Sequence, residues 1–458
     1  MNTINLRSGP ISPLLIRLGL PVLAGQAFNL LYNIVDTWFI AQINPSDPYL
    51  VGATGLVFPL FFIFLAASFG ISGGVSSLVA RAIGAGRAKE LDQTAESALA
   101  LALSASTVIM LFMYPFAVPL LQLFGGKGLL LEYGLEYLLW LLPTVPFMLA
   151  GAVFTGILQG EGRTKHMMMA MMIGTIANIV LDPLLIFGAR MGIAGAAFAT
   201  CLSNALSLVY LVVVFLIRTS NVTIHWKISN ISSSVIVEIL RVGLPQSVLN
   251  LLSSISFIFY NRIMTDIDPV VLTSFTLYSR LEQIALIPIW SLSSAVAAIA
   301  GQAAGAGDIK RMKQTLMTST WMGILVCGLL LLGYVLVSPW LFAAFQTDSQ
   351  VLATAGQITP WMATATFFVL PVFMITTIMS TAGFAGMSLA FTAYRIYFLN
   401  VPFCMLGAYV IGKTMTSVLG AIVLASLLTL GSGMFAGLLF FRALETGRLK
   451  IRMSAVKE

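Results

Sequence analysis

Stretches without a single charged side chain recur along this chain, each long enough to cross a lipid bilayer. They include Pro48 to Ala80, Ser97 to Gly126, Tyr137 to Gly160, Met191 to Ile217, Val242 to Asn261, Gln314 to Thr347 and Thr414 to Phe441. A hydrocarbon layer ~30 Å thick needs about 20 apolar residues in a helix, so each run is a candidate span. Charged residues make up only 9% of the 458 residues, against about 25% in an ordinary soluble domain. A soluble globule is thereby excluded. Together with the shorter runs between them, these stretches predict an all-α integral membrane protein of twelve helices, at 14–43, 51–80, 94–124, 130–158, 167–188, 192–217, 235–264, 270–300, 313–345, 350–380, 389–411 and 416–442.

The net charge of +7 does not point to nucleic acid, because the basic residues follow the connections. With an even number of spans both termini share one side. Lys127, Arg190, Arg262 and Lys413 fall opposite to it and Arg280 falls within a span. The other Lys and Arg, Arg395 among them, fall on the side of the termini, which the positive-inside rule assigns to the cytoplasm. Cys201, Cys327 and Cys404 are isolated in apolar sequence and read as packing residues. His166 and His225 read as solvated residues of cytoplasmic connections, and Glu132 and Glu136 as interfacial acids. The first segment, with its internal polar groups, reads as mature sequence and not as a cleaved signal.

The chain repeats itself. Arg17 to Pro21 reads RLGLP and Arg241 to Pro245 reads RVGLP, an offset of 224; Gly84-Ala85-Gly86 returns as Gly305-Ala306-Gly307, an offset of 221. Two six-helix lobes, 1–217 and 235–458, are expected to flank a polar cytoplasmic linker at 218–234. An even number of spans per copy keeps both copies in one orientation, which implies a pseudo-two-fold axis along the membrane normal and a cavity between the lobes. The two GAG segments lack strand context and the P-loop pattern, so they read as glycine turns between helices.

Two acids lie inside predicted spans of the first lobe. Asp36 follows the charge-free run from Leu18 to Val35. At the bilayer centre an ionised Asp costs roughly 2.5 to 3.5 kcal/mol, so it is expected to face water, hold a cation or carry a proton. Asn33 and Asn29 share its helix face, one and two turns earlier. Pro21, in the same helix, removes a backbone hydrogen bond and favours a bend. Asp182, followed by Pro183, has Asn178 one turn before it and Thr175 nearby; span six adds Thr200, Asn204 and Ser207 as one stripe. Such oxygens suit a hard cation, and two neighbouring carboxylates alternatively share a proton. Singly, the amides and hydroxyls also serve as ordinary bonds between helices. The second lobe repeats neither acid: Asp36 maps onto Tyr260, and span ten has none. Arg280 and Glu282 in span eight form a second candidate group, for anchoring or for coupling, although two residues apart they do not face each other on a regular helix. Arg280 and Arg395 are the cations available to a cavity.

These residues also carry a resemblance. RLGLP with VDTWF around Asp36, ARAIGAGR, QGEGRTKH, NIVLDP, GAAFAT, and SRLEQI followed by GQAAGAG resemble the multidrug and toxic compound extrusion (MATE) transporters over essentially the whole chain. Within that family the chain looks like the DinF-type branch, whose ion site lies in the N-terminal half. The resemblance implies a Na⁺ or H⁺ site at Asp36, Asn178, Asp182 and Thr200, a bend at Pro21, and a cavity lined by Tyr32, Asn33 and Thr155, with Asn29 and Asn204 beside it. The acids of spans seven and ten that mark the NorM-type branch are missing. The implied activity is an antiporter, not an enzyme and without a cofactor, that couples Na⁺ or H⁺ influx to efflux of amphipathic, often cationic compounds by alternating access. It implies a monomer in the cell membrane of a prokaryote. A lipid or lipid-linked glycan flippase is the alternative on the same scaffold. An intramembrane aspartyl protease is a remote one, because Ile179-Val180-Leu181 before Asp182 lacks that family's glycine pattern.

Overall fold

Asp-Pro is a strong helix start, because the Asp side chain caps the first free N–H groups and Pro needs no N–H of its own. Two helices open this way, at corresponding places in the repeat. Asp47 accepts from the Tyr49 N–H at 2.9 Å and opens one long helix; Asp268 accepts from Val270 at 2.7 Å and opens its counterpart. Glycines in the left-handed region stop the helices at matching places: Gly86 (φ 74°) and Gly307 (φ 71°), Gly162 (φ 75°) and Gly383 (φ 92°). The GAG segments are thus turns, as their sequence suggests.

The computed structural model describes residues 5–223, 230–345, 348–412 and 414–451, so His225, Lys413 and part of the linker lie outside it. Among the described residues the α-helices are α1 (Ile11–Ile43), α2 (Pro48–Ala85), α3 (Ala88–Leu123), α4 (Gly128–Leu141), α5 (Thr144–Glu161), α6 (Thr164–Pro183), α7 (Gly192–Leu216), α8 (Ser233–Ile267), α9 (Pro269–Gly305), α10 (Ile309–Phe345), α11 (Ser349–Met379), α12 (Ala385–Tyr394), α13 (Val401–Leu406) and α14 (Met415–Glu445). π-helical turns follow α6 (Leu184–Gly188), α11 (Ser380–Phe384), α12 (Arg395–Asn400) and α13 (Gly407–Ile411). The chain turns sharply at Gly383, so the helical run from Ser349 to Ile411 supplies two spans. Twelve spans result, as expected. The fourth is not one straight helix: α4 and α5 meet at a bend of 48° around Pro143, whose ring cannot continue the hydrogen-bond ladder. α1 runs on through Pro21.

Contacts divide the chain into two units. One holds residues 20–247; the other joins residues 5–19 to 248–451. The first turns of α1 and of α8 thus each belong with the six helices of the opposite repeat. In the N-terminal unit α8 meets α2 at Gly243 and Gly70, so close that a Cβ on Gly243 would lie 2.5 Å from the Gly70 carbonyl oxygen. In the C-terminal unit the repeat-equivalent Gly19 of α1 passes the Ser291 carbonyl of α9. Arg311 fastens the arm before α1 by donating to the Leu6, Ser8 and Gly9 carbonyls at 2.8, 3.1 and 3.3 Å.

Each unit buries its own apolar core. Leu60, Phe64, Val75, Leu138, Val153 and Ile157 lie in the N-terminal core, and Leu15, Leu18, Val296, Met374 and Phe440 in one of two C-terminal clusters. Many large apolar side chains are instead more than half exposed, Leu111, Trp321, Trp340 and Phe398 among them. In water such a surface would aggregate, whereas in lipid it is solvated.

Several polar expectations are corrected. His166 is not a free solvated group: it is half-buried, with Nδ1 3.0 Å from the Tyr210 hydroxyl of α7. Arg395 is not in a connection; it lies well inside the helical run between Gly383 and Ile411. Arg280 and Glu282 stand apart, in keeping with their spacing of two: Arg280 is exposed, while Glu282 accepts from Thr366 of α11 at 2.7 Å. The described linker residues are held by the N-terminal unit. Ser220 and the Asn221 N–H donate to Glu161, and Thr223 donates twice to Asp92. The cysteines are buried and free.

Candidate functional site

On a regular helix, residues four apart stack on one face. Asn178 and Asp182 do so on α6, both wholly buried, and Asn178 Nδ2 donates to Asp182 Oδ1 at 3.2 Å. α6 ends one residue later, at Pro183, and the chain continues as a π turn. The carboxylate therefore sits where the regular ladder stops. α1 brings Asp36 and Tyr32 to the same place, and α7 brings Thr200, whose hydroxyl lies 3.2 Å from the Tyr32 hydroxyl. Asp36 is near enough to Asp182 for its charge to act there, and both acids lie near Tyr32 and near Tyr137 of α4. Thr175 ties α6 to α1 by donating to the Phe28 carbonyl at 3.2 Å.

The cluster leaves acceptors over. Among the described residues Asp36 Oδ1, Asp182 Oδ2 and Asn178 Oδ1 are buried without a hydrogen-bond partner. Leaving a buried acceptor bare costs about 1–3 kcal/mol, and more when it is charged. Three spare oxygens from two carboxylates and one amide, with hydroxyls beside them, fit a hard monovalent cation or a shared proton.

The other residues expected at the cavity lie elsewhere on these helices. Asn29 and Asn33 are exposed, and Asn33 Nδ2 donates to the Asn29 carbonyl at 2.8 Å. Thr155 bonds back to the Gly151 carbonyl of its own helix, and Asn204 to the Thr200 carbonyl. Tyr137 was not expected. A tyrosine amid leucines reads as packing, and nothing in its own helix points to the acids of α1 and α6.

The family model described as MatE matches residues 21–184 and again 245–406. The chain is a member of the MATE family. Its two matches begin at Pro21 and Pro245, the prolines of the repeated RLGLP and RVGLP, so the family unit is the internal repeat itself. Among curated relatives, the FAD transporter of Shewanella oneidensis is 28% identical over 424 residues, covering 89% of this chain and 90% of that one. The multidrug export protein MepA of Staphylococcus aureus is 22% identical over 350 residues, 76% of each. A solved structure described as the outward-facing conformation of a multidrug resistance MATE family transporter superposes with a TM-score of 0.91 at 25% identity, covering 97% of this chain and 99% of that one. Another, described as MATE in the straight conformation, gives 0.89, also at 25% identity and covering 97% and 99%. This MATE protein is a multi-span membrane transporter and not an enzyme, and its bacterial relatives place such transporters in a cell membrane.

Proposed function

We propose that this MATE transporter is a secondary exporter in which Na⁺ or H⁺ moves inward through Asp36, Asn178, Asp182 and Thr200 and drives amphipathic, often cationic compounds outward. The observation that carries this reading is the pair of carboxylates, one on α1 and one on α6, each with an unpartnered oxygen. Two unneutralised acids repel across a medium of low dielectric constant. A cation held between them removes the repulsion and draws α1 toward α6; its departure releases α1, with Pro21 as the weak point of its ladder. The ion therefore favours one arrangement of α1 over another, which is what coupling requires. Tyr32 and Thr200 orient the site from α1 and α7. The solved relatives described as outward-facing and as straight support a cycle with more than one conformation. The relative described as an exporter of multiple drugs supports the cargo.

Proteoliposomes loaded with a fluorescent organic cation, given a Na⁺ gradient or a pH gradient separately, test the reading. One gradient is expected to drive efflux, and Asp36→Asn and Asp182→Asn to abolish it while the purified variants keep the wild-type elution profile. Undiminished gradient-driven efflux in both variants refutes the mechanism. The FAD transporter relative supports a second cargo class, phosphate-bearing dinucleotides. Inhibition of dye efflux by FAD, set against FAD-filled vesicles that retain their load, distinguishes the two cargoes.

A further inference from the structure

The repeat carries the acid cluster of the N-terminal unit onto a different set of residues. The family matches end at 184 and 406, an offset of 222, whereas Gly162 and Gly383 stand at an offset of 221. The π turn Arg395–Asn400 lies between those points and accounts for the extra residue, because a π turn is an α-turn with one residue inserted. At the offset of 222 Asn178 corresponds to Asn400 and Asp182 to Cys404; Asp36 corresponds to Tyr260 at the offset of 224. The amide is kept and both acids are replaced by neutral groups. These three also come near one another in the fold: Tyr260 of α8 lies close to Asn400 and Cys404.

A fourth group joins them that the N-terminal unit does not have. Arg395 opens the π turn that Asn400 closes, and in a turn with i→i+5 bonding these two ends come round to the same side. Arg395 lies near enough to Tyr260 for their charges to interact. Tyr397, in the same turn, donates to the Leu252 carbonyl of α8 at 3.0 Å and holds the turn against the helix that carries Tyr260. Arg395 follows Gly383 by twelve residues and precedes Ile411 by sixteen, so at 1.5 Å per residue it is about 18 and 24 Å from the ends of this helical run. That is mid-span, too deep for the side chain to snorkel to either interface.

Among the described residues Arg395 has no carboxylate partner. The six acids of this unit are engaged elsewhere. Asp268 and Asp348 cap α9 and α11, Asp266 accepts from Tyr409, Glu282 from Thr366 and Asp308 from the Arg311 N–H, while Glu445 pairs with Lys313. An arginine at mid-membrane without a counter-ion is costly and marks a place where an anion belongs. Its fork of N–H donors suits a carboxylate or a phosphate, and the Tyr260 hydroxyl adds a donor beside it.

We propose that Arg395, supported by Tyr260 and Asn400, is an anion-accepting subsite in the C-terminal unit that takes the carboxylate or phosphate group of an amphipathic substrate. This rests on the reading of the chain as a carrier of amphipathic compounds and narrows it. The acids of one repeat serve the coupling ion, and the arginine of the other serves the anionic end of the cargo. Zwitterionic and anionic amphiphiles therefore belong to the substrate range.

Equilibrium binding to the purified full chain in detergent, followed by fluorescence polarisation, tests the subsite without any gradient. The probes are a carboxylate dye of the fluorescein type, its methyl ester, and ethidium. Arg395→Gln is expected to weaken the carboxylate dye about 10- to 100-fold, the equivalent of one charged hydrogen bond, and to leave the ester and ethidium within twofold; Arg395→Lys restores part of the loss. Tyr260→Phe, which removes only the hydroxyl, is expected to weaken the same dye a few-fold and serves where the arginine variants do not fold. Repeating the titration in phosphatidylcholine nanodiscs with and without phosphatidylglycerol separates the anion's sources. Displacement of the dye by phosphatidylglycerol, seen only when Arg395 is present, assigns the anion to a lipid headgroup, and no displacement assigns it to a soluble substrate. Unchanged affinity for the carboxylate dye, or an equal loss for all three probes, overturns the proposal. The titration is made without any ion gradient, whereas the efflux assay depends on one, so failure of ion coupling and failure of the subsite give different results.

Discussion

Asn178 contributes to the acid cluster in two ways that a substitution separates. Its amide N–H₂ holds Asp182 Oδ1 at 3.2 Å, and its own Oδ1 is one of the spare acceptors. Asn178→Ala removes both, and a hydrogen bond to a charged group is worth about 1.5–3 kcal/mol. The expected outcome is a tenfold or greater rise in the ion concentration that half-activates transport, measured with the driving ion varied at fixed dye. Tyr32→Phe deletes only a neutral bond to Thr200, so a rise of about fivefold is expected in the same assay. Asn33→Ala, which loses a bond within α1, is expected to leave ion activation unchanged. The pairing of Asn178 with Asp182 was legible because a spacing of four fixes a shared helix face. Tyr137 and His166 were not, because the partner of each lies on another helix, and single-helix periodicity says nothing about which helices adjoin.

Close packing between elements rests on small residues at helical spacing, since lipid provides no hydrophobic drive to press helices together. Gly156 and Gly160 of α5 lie against Ser72 and Ser76 of α2: a Cβ at Gly156 would stand 2.6 Å from the Ser72 carbonyl oxygen, and one at Gly160 2.8 Å from that of Ser76. Both obstacles are backbone and cannot turn aside. Gly156→Val is therefore expected to destabilise the purified protein by about 1–3 kcal/mol, seen as a lower midpoint of thermal unfolding in detergent. Gly151→Ala, on the same helix but facing open space, is expected to leave it unchanged. Hydropathy located every span because it measures burial in lipid. It missed the bend at Pro143 and the π turns, which are local failures of the hydrogen-bond ladder inside sequence that stays apolar throughout. Arg395, although inside the expected span 389–411, was counted with the connections, because the positive-inside rule assigns a basic residue to a side of the membrane and not to a depth.

At the scale of the whole molecule the repeat was the most legible property, and its drifting offset carries the rest. The offset begins at 224, falls to 221 across a first connection that is shorter in the second copy, and rises to 222 across a π turn. Each shift is an insertion or deletion that leaves the direction of the helices unchanged, so both copies hold six spans and the chain crosses the membrane an even number of times. Arg17, Arg81, Arg87, Arg163 and Lys165 precede or follow spans on the side of the N-terminus, as do Lys310, Arg311, Lys313, Arg442 and Arg448 in the second copy. Few Lys or Arg flank the opposite ends. Basic residues resist translocation, so this bias predicts a cytoplasmic position for both termini. A fluorescent reporter fused to the C-terminus is expected to mature in the cytoplasm, and alkaline phosphatase inserted at Gly125 between α3 and α4 to be active only outside it. The reverse pattern would invert the orientation and with it the direction of the ion through Asp36 and Asp182, turning the proposed exporter into an importer under the same gradient.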